Sequence, residues 1–333
     1  MYHILHTKPF YWYTDESWQR VKLKSIAMEI INPLLISDEY FARGFIGNFI
    51  MYNKKVFFST KGIILKTNNN QRPNTAESYK IADLVAEYLV NLRYASRQVR
   101  ISLNDFIQSI ISEPTIKLTH NPLPSPQHRI IPVWQSHIST AIDKQKLLSA
   151  EALMNKNIKM QPHNEIALDA YESYMGGDYR KTILYSAMSM EMLLNLQHDL
   201  SYKKIISSKS INKKYRVKKL SNEIFNREPV LENLMKSARY NFKMLLHEVP
   251  LYIYNYTFRY ENQRLYEDIN ILHNTRNKIV HTGQIFTDKK EKLLPLSNDG
   301  AIKALETVRL LYLHFSDSFM NELLQEIRAT KRK

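Results

Sequence analysis

The sequence predicts a mainly α-helical protein, with an α+β N-terminal domain followed by a C-terminal helical bundle. Three observations carry this. Long stretches of the second half repeat apolar residues at helical spacing, the first seventy residues mix aromatics with short strand-like runs, and a proline-rich segment lies between the two regions. At 333 residues the chain is long enough to bury two cores.

Phe45 to Tyr52 and Val56 to Ser59 read as strands joined through Asn53-Lys54-Lys55. Thr60-Lys61-Gly62 then reads as a turn into Ile63 to Lys66, giving two or three short antiparallel strands. After the polar loop TNNNQRPNT, Ala76 to Gln98 places Ile81, Leu84, Val85, Tyr88 and Leu92 on one helical face. Ile101 to Ser112 reads as a shorter helix, with Ser102 or Asn104 as N-cap. Pro114, Pro122, Pro124, Pro126 and Pro132 then interrupt regular structure. The boundaries drawn from this are an α+β domain over 1–130, a linker over 131–160 with a helix near Ser136 to Asn157, and a helical domain over 161–328.

In that helical domain, Asn164 to Met175 is one helix and Asp178 caps the next. The inner row of the second helix is Ile183, Ala187, Met190 and Leu194, with Glu191 beside it. Tyr252, Tyr254, Tyr256, Phe258 and Tyr260 alternate as a half-buried strand does, a stripe suited to packing or to base stacking. A last helix over Ala301 to Ile327 presents Ala304, Val308, Leu311, Phe315, Phe319 and Leu323 to the core.

Composition narrows the function. The absence of cysteine excludes disulfides, thiolate metal sites and cysteine nucleophiles, and fits a reducing cytoplasm. No apolar run approaches the roughly 20 residues of a membrane span. The first residues, MYHILHTKPFYWY, lack a signal-peptide layout, so a cytoplasmic protein without a membrane partner is expected. A formal charge of +15 favours polyanionic partners, nucleic acid first. Lys203, Lys204, Lys209, Lys213, Lys214, Arg216, Lys218 and Lys219 fall within 17 residues that contain no acid, a pattern that suits tracking an RNA backbone and is otherwise a solvated loop. No phosphate-cradling glycine loop and no carboxylate pair for magnesium stands out, which ranks phosphotransfer chemistry low.

The stretch that demands explanation is Glu261 to Gly283, ENQRLYEDINILHNTRNKIVHTG. Leu265, Ile269, Leu272 and Ile279 define one face of a helix that Gly283 ends. Arg276 interrupts the apolar row, and Glu191 is its candidate ion-pair partner, since an unpaired buried charge is costly. His281 sits where the helix runs out, among carbonyls that carry partial negative charge, a setting suited to proton transfer. Asn277 lies one turn before His281, in reach to orient the ring. Arg276 is about 140° from His281 around the helix, but its long forked guanidinium can bend to a phosphate that the histidine also touches. A proton shuttle, an oxyanion clamp and an orienting amide suit cleavage of a phosphodiester beside a 2′-hydroxyl, with no metal or other cofactor. Spacing alone is weak support: 17 arginines and 11 histidines give about 0.6 chance occurrences of Arg-x4-His. A second match, Arg309 to His314, lies mid-helix without a stop signal and reads as that chance event.

Arg276-Asn277-Lys278-Ile279-Val280-His281 resembles the R-N-x-x-x-H signature of HEPN domains (higher eukaryotes and prokaryotes nucleotide-binding). Gly176-Gly177-Asp178-Tyr179-Arg180, running into KTILYSAMSMEMLLNL, is similar to the start of an earlier core helix of that family, with Glu191 a looser match. The resemblance spans roughly Gln161 to Arg328, and the Lys203 to Tyr260 stretch departs from compact members. It implies a bundle of four or five helices that forms a homodimer, with the motifs of two subunits facing one cleft. Many members are metal-independent ribonucleases of toxin, phage-defence and RNA-processing systems, while others only bind. On this resemblance Arg276, Asn277 and His281 are the expected catalytic residues and RNA the partner. The N-terminal half would gate or target the site, answering to an antitoxin or a phage-derived trigger. The competing expectation is a binding module in which Arg276 and Glu191 pair in the core and His281 only caps a helix.

Overall fold

The opening run of aliphatic and aromatic residues forms β1 (Tyr2–Tyr13), a strand that simple alternation hides because its neighbouring residues Ile4 and Leu5 are both fully buried. The computed structural model describes residues 1–13, 20–24, 26–36, 46–52, 55–69, 71–97, 101, 109–118, 141–208, 242, 244–254, 258–283, 292–317 and 320. The described chain divides into two compact units, 1–161 and 162–324.

In the first unit β1 pairs along one edge of β5 (Lys55–Lys66), antiparallel, from Tyr2 opposite Lys66 to Tyr13 opposite Phe57. The other edge of β5 takes two strands in succession. Its last residues pair with β3 (Met28–Ile31), which carries β2 (Arg20–Leu23), and its first residues pair with β4 (Ile46–Tyr52). β6 (Ser109–Glu113) lies on the far side of β1, so the sheet order is β2-β3-β5-β1-β6 with β4 joined to β5. Alternation sets the two faces. Leu5, Ile30, Ile63 and Leu65 pack with Val85, Tyr88, Leu89 and Leu92 of helix α1 (Thr75–Ser96) and with Leu147 and Ala150 of α2 (Lys144–Asn155). Ile4, Ile31 and Ile64 face the other way, covered by Leu35, Ile36 and Ile116. The phenol of Tyr88 donates to the carbonyl of Leu147 at 3.0 Å, tying the two helices. His3 binds Ser112 and Thr67 through its two ring nitrogens, at 2.9 and 3.2 Å, and so ties β1 to β6 and to the residue that follows β5.

Three expectations change here. Thr60-Lys61-Gly62 is not a turn but the middle of β5, because its glycine serves a bulge: register slips between His6 and Phe10 of β1, and Gly62 adopts φ +154° where the two backbones close in. Ser109–Glu113 is strand rather than the end of a helix, a short apolar run whose type its partner β1 decides; 102–108 lie outside the described residues. Helix α2 starts at Lys144, capped by Asp143, and packs on α1 instead of acting as a linker. Of the proline-rich segment Glu113 to Val133, the expected boundary, residues 119–133 lie outside the described residues.

The second unit is helical. Helix α3 (Pro162–Met175) ends in a Schellman turn, with Gly177 at φ +76°, the Asp178 amide on the Ser173 carbonyl at 2.9 Å and the Gly177 amide on that of Tyr174 at 3.0 Å. The same aspartate starts α4 (Tyr179–Ser208), its Oδ1 accepting from the Lys181 amide at 3.0 Å. Helix α4 packs against α3, α7 (Gln263–Thr282) and α8 (Asn298–His314), burying Ile183, Ala187, Met190, Leu193 and Leu194. Between α4 and α7 come a π-helical turn, Met244–Glu248, and two short helices, α5 (Val249–Tyr254) and α6 (Phe258–Glu261). The alternating aromatics are therefore not a strand: α5 and α6 bring Phe258 into the core and leave Tyr260 80% exposed, and Tyr256 lies outside the described residues. Helix α8 stops at His314, before Phe315, with Ser316 at φ +59°, so the expected helix to Ile327 is shorter; Phe319 and Leu323 lie outside the described residues. No described helix is long and apolar enough to cross a membrane.

The amide of Lys181, first among several contacts, holds the Asp178 carboxyl below the ordinary carboxylate range. Asp178→Ala should lower stability by about 1 kcal/mol at neutral pH, a normal value for a lost N-cap. A depressed folded-state value means the carboxylate contributes fully above its ordinary value of 3.8, and that the contribution fades as pH falls through the lower folded value. Urea unfolding of both proteins should thus show a gap at pH 7 that narrows in acid.

Candidate active site

Helix α7 is bounded by local chemistry. Asn262 caps its start, the side chain accepting from the Leu265 amide at 3.1 Å, and Gly283 ends it at φ +68° with its amide on the Ile279 carbonyl. Its buried row is Leu265, Asp268, Ile269, Leu272, Thr275 and Ile279. Thr275, not Arg276, occupies the core-facing place. A threonine can be buried there because its hydroxyl donates to the Ile271 carbonyl at 2.7 Å and accepts from the Leu294 amide at 2.9 Å. Asp268 is paired with Lys303 of α8. Arg276 is shifted by one residue to the half-buried rim.

This shift breaks the expected pairing of Arg276 with Glu191. Glu191, on α4, instead accepts from Nδ1 of His273 at 2.9 Å. Nε2 of His273 lies 2.9 Å from the side-chain nitrogen of Asn277, one turn along α7, and the amide oxygen of Asn277 accepts from the Arg276 guanidinium at 2.9 Å. The four side chains form one chain, Glu191–His273–Asn277–Arg276. Phe242 lies on the imidazole of His273, centroids 3.8 Å apart and planes within 6°. Asn277 therefore orients His273 rather than His281. His281 is exposed at the end of α7, with no hydrogen-bond partner among the described residues, beside Val280, which is 54% exposed. Apart from its bond to Asn277, Arg276 engages no carboxylate and no other hydrogen-bond acceptor among the described residues.

The cationic run is only partly in view. Lys203 is exposed and Lys204 lies beside it, both on the end of α4 and not in a loop. Lys209, Lys213, Lys214, Arg216, Lys218 and Lys219 lie outside the described residues. In the second Arg-x4-His pair, Arg309 forms a two-point ion pair with Glu306 at 2.9 and 2.7 Å, and His314 packs on Phe258. Both groups are absorbed by structure.

The residue the sequence reading passed over is His273. The signal was present: a histidine four residues before Asn277 shares its helical face. Among the described residues, no three His, Asp or Glu side chains converge as metal ligands do.

Behind this site, α4 anchors the π-helical turn. His198 is buried and its Nε2 donates to the Leu245 carbonyl at 3.0 Å. Burial pushes this histidine from 6.5 to about 4. A folded-state value below the unfolded one means the stability it carries is present above pH 6.5 and drains away as pH falls toward 4, in total roughly 3 kcal/mol. Denaturant titrations between pH 7 and 4 should show this loss, and His198→Gln, which keeps a donor for Leu245, should flatten it.

No protein-family model, curated protein or solved structure matches this chain.

Proposed function

We propose that this protein is a metal-independent RNA endonuclease of the HEPN type, its cleft built from the α7 faces of two copies. The observation that carries the reading is Arg276, a half-buried cation fixed by Asn277 and not neutralised by any described carboxylate, on the same helix end as the exposed His281. Such a guanidinium is preorganised to receive a phosphate oxygen. His281 takes the proton from a ribose 2′-hydroxyl, whose oxygen attacks the adjacent phosphorus. Arg276 stabilises the charge of the phosphorane. The 5′-oxygen then leaves with a proton from an imidazolium, giving a 2′,3′-cyclic phosphate and a 5′-hydroxyl. The exposed Val280 beside His281 supports a face covered by a second copy. The +15 charge and the exposed Lys203 at the end of α4 support RNA as the polyanion. In this reading the first unit restrains or directs the nuclease, in answer to an antitoxin or a phage-derived trigger.

The test is incubation of the purified protein with RNA in EDTA, beside the same RNA carrying 2′-deoxyribose at the cut positions. Fragments ending in cyclic phosphate, absent from the deoxy substrate, are the expected result. Cleavage that needs a metal ion, or that spares neither substrate, would overturn the mechanism. Tight RNA binding without cleavage would instead favour a binding module.

A further inference from the structure

The chain Glu191–His273–Asn277–Arg276 contains a constraint that its separate bonds do not show. Arg276 has only donors, so the atom of Asn277 that faces it must be the amide oxygen. The amide nitrogen of Asn277 is then the atom that faces His273, and it too can only donate. Nε2 of His273 must accept, which leaves the ring proton on Nδ1, where Glu191 accepts it. Four groups on two helices therefore fix one another's direction. Phe242, parallel to the ring at 3.8 Å, resists its rotation. The imidazole is largely enclosed, its side chain 18% exposed, with both nitrogens engaged. That is a poor place for a proton shuttle and a good one for a brace.

We infer that His273 is a positioning residue, which, held between Glu191 and Asn277 as the Nδ1–H imidazole, turns the Asn277 amide oxygen toward Arg276 and so aims the guanidinium at the substrate phosphate. The inference rests on the ribonuclease reading for its last step alone; the brace itself does not depend on it. Glu191 acts through His273 and not on Arg276 directly.

Two variants separate a brace from a catalyst. Glutamine offers a carbonyl oxygen to accept from Asn277 and an amide to donate to Glu191, so His273→Gln reproduces the hydrogen-bonding sense of the Nδ1–H ring without a titrating group. Alanine reproduces nothing. His273→Ala should lower kcat about 100-fold with KM little changed, the effect of a misaimed group and not of lost binding. His273→Gln should recover most of it. Nitrogen NMR of the histidine-labelled protein should find the His273 proton on Nδ1 in wild type. In Asn277→Asp, whose carboxylate can only accept, Nε2 should become protonated. The Arg276 guanidinium should give a hindered, Asn277-bound signal in wild type and in His273→Gln, and lose it in His273→Ala. Full activity of His273→Ala, equal loss in both His273 variants, or an Nε2–H ring in wild type would each overturn the inference. A wild-type protein that cleaves no RNA would remove the ribonuclease reading, and the nitrogen spectra would still decide the brace.

Discussion

His281→Ala should cut RNA roughly 1,000-fold more slowly than wild type while binding uncut RNA with unchanged affinity. His281 is exposed and makes no hydrogen bond, ion pair or ring contact with a described residue, so removing its ring should disturb little packing. A loss of rate can then be assigned to proton transfer and not to unfolding. Arg276→Lys sharpens the point. Lysine keeps the charge but loses the planar fork that binds Asn277 and a phosphate oxygen together, so this variant should also lose about 100-fold in rate. If the cation only attracted RNA, Arg276→Lys would behave as wild type. Single-turnover cleavage at saturating protein separates the two.

Gly62→Ala should unfold the first unit. A Cβ built on Gly62 would stand 1.8 Å from the carbonyl oxygen of Leu5 and 2.8 Å from its carbon. Both are backbone atoms in the paired strands β1 and β5, so neither can swing aside. The φ of +154° is also one that side chains rarely adopt. Trp12 and Thr60 pin the same spot, with the indole donating to the Thr60 hydroxyl and that hydroxyl donating to the Gly62 carbonyl, each at 2.7 Å. The cost should exceed about 4 kcal/mol, beyond ordinary substitutions. Gly177→Ala is the control. Its φ is also positive, at +76°, but a Cβ there meets nothing within 4 Å, so it should cost only about 1 kcal/mol. Urea unfolding followed by circular dichroism would rank the two.

The elements the sequence predicted well are those that local chemistry decides. Asn262 and Gly283 bracket α7 within two residues of the expected Glu261 to Gly283, because caps act on the backbone beside them. The Asp178 cap is legible for the same reason. Whatever depends on a distant partner was less legible. Gly62 looked like a turn because Leu5, the backbone it accommodates, is 57 residues away. The alternating tyrosines looked like a strand, but strands exist only where a partner does, and α5 and α6 belong to a helical unit. The candidate site shows both sides of this. Its helix end and its exposed histidine were legible. The pairing of Glu191 was not, because a one-residue difference put Thr275 in the core and brought His273, not Arg276, to the carboxylate.

Strand β5 bears β1 on one edge and both β3 and β4 on the other, and these pairings close loops of very different length. The β4–β5 hairpin closes over two residues, Tyr52 opposite Lys55, and needs nothing from elsewhere in the chain. The pairing of Tyr2 with Lys66 closes a loop of more than sixty residues, and β6 has no place to dock until β1 is seated. Ile4 and Leu5, fully buried in the folded sheet, thus have no strand partner until β5 has been made. Over that interval these aliphatics are open to misassociation, and the time taken to reach Lys66 sets how long it lasts.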